Sequence, residues 1–302
     1  MSRTLWRIEP FEKAAHNQAV NPRGGSGGRQ NQRFLAATGL PLSLAYRNRP
    51  SFTMDDYRLL IDLHRQGDRQ GPGGDAETLR AISLAMIDSR ESLKIADVGC
   101  GTGASALLLA RYLNAQISAI DFLPDFLDVL NERAEQVGVA DKISTNACSM
   151  DALPFADEEL DVIWSEGAIY NIGFEQGVSD WRRCLKPGGV LVASEITWIT
   201  GTRPSELEAY WNNEYPEISL ASTKIRALEK QGYSPLGYFV LPERCWLDHY
   251  YRPMQSRFED FLNRNGQSEV AREIVAEEQR EIELYETYKA HFSYGMYIAR
   301  KL

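Results

Sequence analysis

Three glycines in five positions, Gly99, Gly101 and Gly103, stand between two apolar runs in the stretch IADVGCGTGASALLLA, and Asp97 sits two residues before the first of them. Glycine has no Cβ, so backbone N–H groups in such a loop can come close to a ligand. The loop can therefore cradle a phosphate, admit another small ligand, or simply form a tight strand-to-helix turn. Spacing narrows the choice. A dinucleotide fingerprint is GxGxxG and a Walker loop ends in GK[ST], whereas this loop reads GCGTG with no lysine after it. A carboxylate at Asp97 suits a cationic amine better than a pyrophosphate. Asp121 follows at the end of the next apolar run, 24 residues on, where a carboxylate can accept both hydroxyls of a ribose.

Two further stretches carry polar groups in positions that could do chemistry. WSEGAIYNIG, residues 164 to 173, offers Glu166 and Tyr170 directly after a predicted strand. Glu166 can orient or deprotonate an acceptor, or else cap the next helix or pair with an arginine; Tyr170 can line a pocket or only pack. CWLDHYY, residues 245 to 251, sets His249 beside Asp248, Tyr250 and Tyr251. Histidine is the side chain most easily tuned near neutral pH, which makes His249 a third catalytic candidate, with a structural role as the alternative. No cluster with metal-ligand spacing is present, so no metal is expected.

These residues need a frame. From residue 93 short apolar runs (LKIADVGC, AQISAIDF, KISTNACS, LDVIWSEGAI, VLVASEITW) alternate with helical patterns of ten or so residues. That alternation predicts right-handed crossovers and a mostly parallel sheet with helices on both faces. Ligands bind beyond the carboxyl ends of such strands, where the strand order reverses, and the glycine loop ends the first strand. PLGYFVLP and FSYGMYIARK complete seven predicted strands, with a long amphipathic helix from about Ser268 to His291 before the last. Ahead of the sheet, MDDYRLLIDLH has helical spacing, RQGPGG breaks the chain, and Asp75 is the expected N-cap of a second helix. The expected organisation is a basic, flexible extension over 1–53, a helical lid over 54–90, a ligand-binding α/β core over 91–200, and the remainder of the sheet with a substrate-facing helical insert over 201–302.

Charge and composition bound the function. The chain of 302 residues carries a net charge of −9, yet its first fifty residues hold eight basic and two acidic side chains, leaving the body strongly acidic. An acidic body repels a phosphate backbone, which argues against nucleic acid as the main partner. No apolar run reaches the length of a membrane span. The four cysteines form no CxxC pair, which suits a reducing compartment, and the expected location is the cytoplasm. The sequence allows a homodimer as readily as a monomer.

DVGCGTG resembles the first motif of the class I S-adenosylmethionine (SAM)-dependent methyltransferases. The similarity continues through AIDF, SMDALPF, LDVIWSEGAIYNIG and CLKPGGVLVASE, over about residues 92 to 198. It is nearest to the small-molecule branch of ubiquinone-biosynthesis-like enzymes, methyltransferase type 11. The resemblance implies a Rossmann-like fold and SAM as cofactor. Asp97, Gly99, Gly101, Thr102 and Gly103 would hold the methionine moiety, Asp121 with Phe122 the ribose side, and Ser149, Met150 and Asp151 would flank the adenine, with Ser165 at the neighbouring strand end. Many relatives carry an aspartate where this chain has Ser149, so Ser149 or Asp151 would take over its acceptor role. The implied activity is methyl transfer to a small-molecule acceptor by in-line displacement. A nicotinamide-dependent oxidoreductase and a non-catalytic SAM-binding protein are the rival readings.

Overall fold

The computed structural model describes residues 54–87 and 92–302; the expected basic extension over 1–53 lies outside them. Two helices, α1 (Met54–His64) and α2 (Asp75–Leu84), lead into β1 (Leu93–Val98), α3 (Ala104–Tyr112), β2 (Ala115–Asp121), α4 (Pro124–Gln136), β3 (Ile143–Ala147), β4 (Leu160–Ser165), α5 (Phe174–Trp181) and β5 (Leu185–Trp198). After these come α6 (Ser205–Glu214), the two-residue β6 (Ser219–Leu220), α7 (Ala221–Lys230) and β7 (Tyr233–Val240). The insert is helical: α8 (Glu243–Trp246), a π-helical turn over Leu247–Tyr251, α9 (Arg252–Gln255), α10 (Phe258–Arg264) and α11 (Glu269–Tyr288); β8 (Phe292–Lys301) ends the chain.

The sheet runs β3-β2-β1-β4-β5-β8-β7, with β6 beside β5. Strands β1 to β5 pair in parallel, and β8 runs antiparallel between β5 and β7. This is the expected mostly parallel seven-stranded sheet, with β6 as an addition too short to show a period in sequence. Both faces are covered, as apolar parallel strands require. In β1, Leu93 and Ile95 join one buried cluster while Ala96 and Val98 join the other. The chain travels outward from β1 through β2 to β3, then returns to lay β4 on the other flank of β1. That reversal puts the crevice at the carboxyl ends of β1 and β4.

Two helix starts are instructive. Ser268, the approximate start expected for the long helix, caps α11, its Oγ accepting from Ala271 N at 3.3 Å. Asp75, expected as an N-cap, instead lies in the first turn of α2, where Gly74 is the cap. Its carboxylate is drawn aside by Arg69, whose Nη2 donates to Asp75 Oδ1 at 3.2 Å. A largely buried guanidinium replaces the backbone partner of the exposed carboxylate.

Candidate active site

The glycine loop closes on β2 through backbone bonds: Gly99 N and Cys100 N both donate to Ile120 O, at 2.8 and 2.9 Å. Gly103 caps α3 at φ +92°, and a Cβ there would sit 2.1 Å from Leu130 Cδ1, so only glycine fits. At Gly101, φ is +54° and its open side faces the carboxamide of Gln70.

Beneath the loop lie the two predicted acids. Asp97 is fully buried at the end of β1; its Oδ2 accepts from Ser105 Oγ at 3.0 Å, and its Oδ1 is buried without a hydrogen-bond partner. Burial first, then the charge of Glu166, pushes its carboxyl up to about 7. Asp121 accepts from Gly101 N and Leu123 N, both at 2.9 Å, and burial raises it to about 6. Each Asp121 oxygen keeps a lone pair for a further donor. A buried, partnerless carboxylate oxygen is costly, and a cationic ligand in the notch would relieve it. The donor set and the cradle therefore fit the positively charged sulfur nucleoside that the motifs implied.

A strap crosses this notch. Residues 67 to 74, between α1 and α2, lie over the glycine loop, and Arg69, Gln70, Gly71 and Pro72 line the cleft with Gly99, Gly101 and Asp121. Thr102 N donates to Gln70 Oε1 at 2.8 Å, while Gln70 Nε2 donates to Thr102 Oγ1 at 3.0 Å. Thr102 Oγ1 also accepts from Arg133 Nη1 at 2.9 Å, and Arg133 Nη2 reaches Asp68 Oδ1 at 2.8 Å. Thr102 thus fastens the strap rather than facing the cleft. The cavity left beneath is about 40 Å³, against about 300–1,000 Å³ for ligand pockets in general.

Glu166 holds the strap from the other side. Its Oε2 accepts from Arg69 Nη1 at 2.9 Å; its Oε1 accepts from Thr78 Oγ1 at 2.7 Å and Trp164 Nε1 at 2.9 Å. Both oxygens are engaged, so this carboxylate works as a strut between β4, the strap and α2. His249 lies outside the cleft. In the π-helical turn Tyr250 and Tyr251 point inward, and His249 is left exposed with Nδ1 2.8 Å from Gly73 O. Its ring faces a separate groove of about 800 Å³ on the outer side of the strap.

The remaining predicted residues divide. Met150 is buried, and its methyl approaches Gly99 to within ordinary contact of a Cβ placed there. Ser149 Oγ and Ser165 Oγ are buried without partners, one at the end of β3 and one at the end of β4. Phe122 packs part-buried against the core. Asp151 is exposed and lines a different depression with Asp180 and Arg183, so it does not reach the cleft. Tyr170 sits on the loop after β4, edge-on to Tyr215 at 6.1 Å.

Sequence reasoning missed Ser105, Thr78 and Arg133. Each acts through a contact set by the fold, and none belongs to a local motif. Glu195 and Lys224 were legible in part: Glu195 is the acid inside the apolar run VLVASEITW. Lys224 Nζ pairs with its Oε1 at 2.9 Å, with both side chains buried.

Comparisons with known proteins agree with this geometry. Residues 96–193 match the methyltransferase domain family. The chain is 32% identical over 117 residues to the methyltransferase GfsG of Streptomyces halstedii, covering 38% of this chain and 42% of that one. It spans about half the length of the curated relatives it matches. Among solved structures, a SAM-dependent methyltransferase from Geobacter sulfurreducens in complex with S-adenosyl-L-homocysteine superposes with a TM-score of 0.72 at 18% identity, over 81% of this chain and 98% of that one. The [4+2]-cyclase SpnF superposes with a TM-score of 0.64 at 21% identity, over 82% and 94%. At those identities the superpositions speak for the fold. Motifs, strand order and the family match converge: residues 96–193 match a methyltransferase domain, set in a Rossmann-like fold shared with SAM-dependent methyltransferases.

Proposed function

We propose that this protein is a SAM-dependent methyltransferase acting on a small-molecule acceptor. The observation that carries the proposal is the buried, partnerless Oδ1 of Asp97 under a loop whose three glycines all adopt positive φ. When bound, the sulfonium supplies an already activated methyl group. What remains for the chain is to hold the acceptor in line and exclude water, and positioning of this kind is worth about 7–11 kcal/mol.

The residues divide that work. Asp97 receives the ligand's ammonium, Asp121 its ribose hydroxyls, and the Ser149–Met150 segment borders the base. Glu166 and Arg69 hold the strap, which lies within the lid expected over 54–90; entry of the nucleoside requires Gln70 to leave Thr102 and the segment 69–72 to lift. Tyr170 borders the acceptor side. His249, anchored on the Gly73 carbonyl, steadies the strap from outside. The free thiols of all four cysteines support the reading of a reducing, cytoplasmic setting. Among the described residues no helix is long and apolar enough to cross a membrane.

Calorimetric titration with S-adenosyl-L-homocysteine and, separately, with NADH tests the proposal. Saturable binding of the first with no heat from the second is expected. Binding of NADH alone would overturn it in favour of an oxidoreductase. Binding of the homocysteine without methyl release from labelled SAM toward any acceptor in a panel of amines, alcohols and thiols would leave a non-catalytic binder.

A further inference from the structure

Beyond the cleft, between the loop after β4 and the helical insert, the fold buries a hydroxyl with nothing to bond. Tyr250 is 3% exposed, and its Oη has no hydrogen-bond partner. Buried polar groups are nearly always satisfied, and an orphan calls for a missing partner. The groups around it indicate what that partner is. Glu281, part-buried on α11, accepts from Tyr251 Oη at 2.9 Å through Oε1. Its neighbours on that helix each face a basic side chain: Glu278 faces His64 Nε2 at 3.4 Å, and Glu277 pairs with Arg280. Among the described residues Glu281 has none. Burial, reinforced by Glu278, pushes its carboxyl up to about 8, the behaviour of an acid that lacks a counter-charge.

The side chains around these groups are aromatic. The Tyr250 and Tyr251 rings lie 5.1 Å apart, and Trp246 lies 5.3 Å from Tyr294. Tyr170, four residues past Glu166, is within electrostatic reach of both Tyr250 and Tyr294. Tyr170 follows β4 and Tyr294 pairs with Ile196 near the end of β5, so this cluster borders the carboxyl ends of those strands, where an acceptor must lie to meet the methyl group.

We propose that this cluster forms one wall of the acceptor subsite and that it selects a protonated amine carried on an apolar or aromatic body. The inference rests on the methyltransferase reading above and adds the substrate class to it. The ammonium N–H groups donate to Glu281 Oε2 and to Tyr250 Oη, supplying the cation that Glu281 lacks and the donor that Tyr250 lacks. The rings take the apolar body and add cation–π attraction.

The test is titration of phenethylammonium chloride, and of its neutral isostere phenethyl alcohol, into the full chain saturated with S-adenosyl-L-homocysteine. The ammonium binds at least about tenfold tighter than the alcohol, as a hydrogen bond to a buried charge implies. Glu281→Gln, which keeps an acceptor for Tyr251, abolishes that preference. Tyr250→Phe weakens the ammonium several-fold, and neither change alters the homocysteine affinity more than about twofold. The inference is overturned if the alcohol binds as well as the ammonium, if Glu281→Gln keeps the wild-type preference, or if the ammonium fails to bind while the homocysteine does. Failure of the homocysteine itself to bind overturns the methyltransferase reading, and this subsite with it.

Discussion

Replacing Asp97 by asparagine separates what this carboxylate does for a ligand from what it costs the fold. Burial and then the charge of Glu166 keep the carboxyl protonated up to about pH 7, against an ordinary value of 3.8. Below about pH 4 the group is neutral in both folded and unfolded chains, and Asp and Asn are equivalent. As pH rises further, the unfolded chain releases its proton while the folded chain keeps it, so the wild type loses stability relative to the variant. Above about pH 7 the whole penalty is present. About three pH units at about 1.4 kcal/mol each set its ceiling near ~4 kcal/mol.

Urea unfolding followed by tryptophan fluorescence reads this directly. Asp97→Asn should exceed the wild type by about 2–4 kcal/mol near pH 8.5 and by only about 1–2 kcal/mol near pH 5. The same variant should bind S-adenosyl-L-homocysteine at least about tenfold more weakly, having lost a charge-assisted hydrogen bond to the ammonium. Stability equal to wild type near pH 8.5, or undiminished affinity, would refute the assignment of Asp97 as a strained acid waiting for a cation.

Three other perturbations follow from the same geometry. Arg69→Ala frees the Glu166 Oε2 bond and the Asp75 contact; with a lost charge-assisted bond worth about 1.5 kcal/mol, homocysteine should dissociate about tenfold faster in stopped-flow displacement, and an unchanged rate would show that the strap does not gate the site. Lys224→Met leaves Glu195 buried without its partner and should destabilise by about 3–5 kcal/mol in denaturant unfolding, with part of the loss recovered on adding Glu195→Gln. Gly103→Ala sets a Cβ against Leu130 at a φ of +92° and should lower stability by about 1–3 kcal/mol; a neutral change in thermal unfolding would mean the loop relaxes freely.

What the sequence made legible was what local spacing controls. The parallel sheet follows from apolar runs separated by helix-length segments, and the notch from GCGTG with an acid on each neighbouring strand end. Glu166 and RQGPGG were visible as polar and hinge-like stretches, but their meeting was not, because Arg69 and Glu166 lie 97 residues apart. His249 attracted notice for its titration range, yet the handedness of its turn sends Tyr250 and Tyr251 inward and leaves the imidazole outside. The place of Asp151 was likewise hidden in the sequence: the chain after β3 turns Met150 into the core and its successor into solvent. Glu281 sits in a helix rich in glutamates, and only the ion-pair geometry distinguishes it from Glu277 and Glu278.

The structure of the full chain crystallised with S-adenosyl-L-homocysteine bears most directly on the central claim. The account predicts density along Gly99 to Gly103, with the ammonium on Asp97 Oδ1, the ribose on Asp121, and Gln70 parted from Thr102. A nucleoside found elsewhere, with Gln70 still seated on the glycine loop, would contradict it.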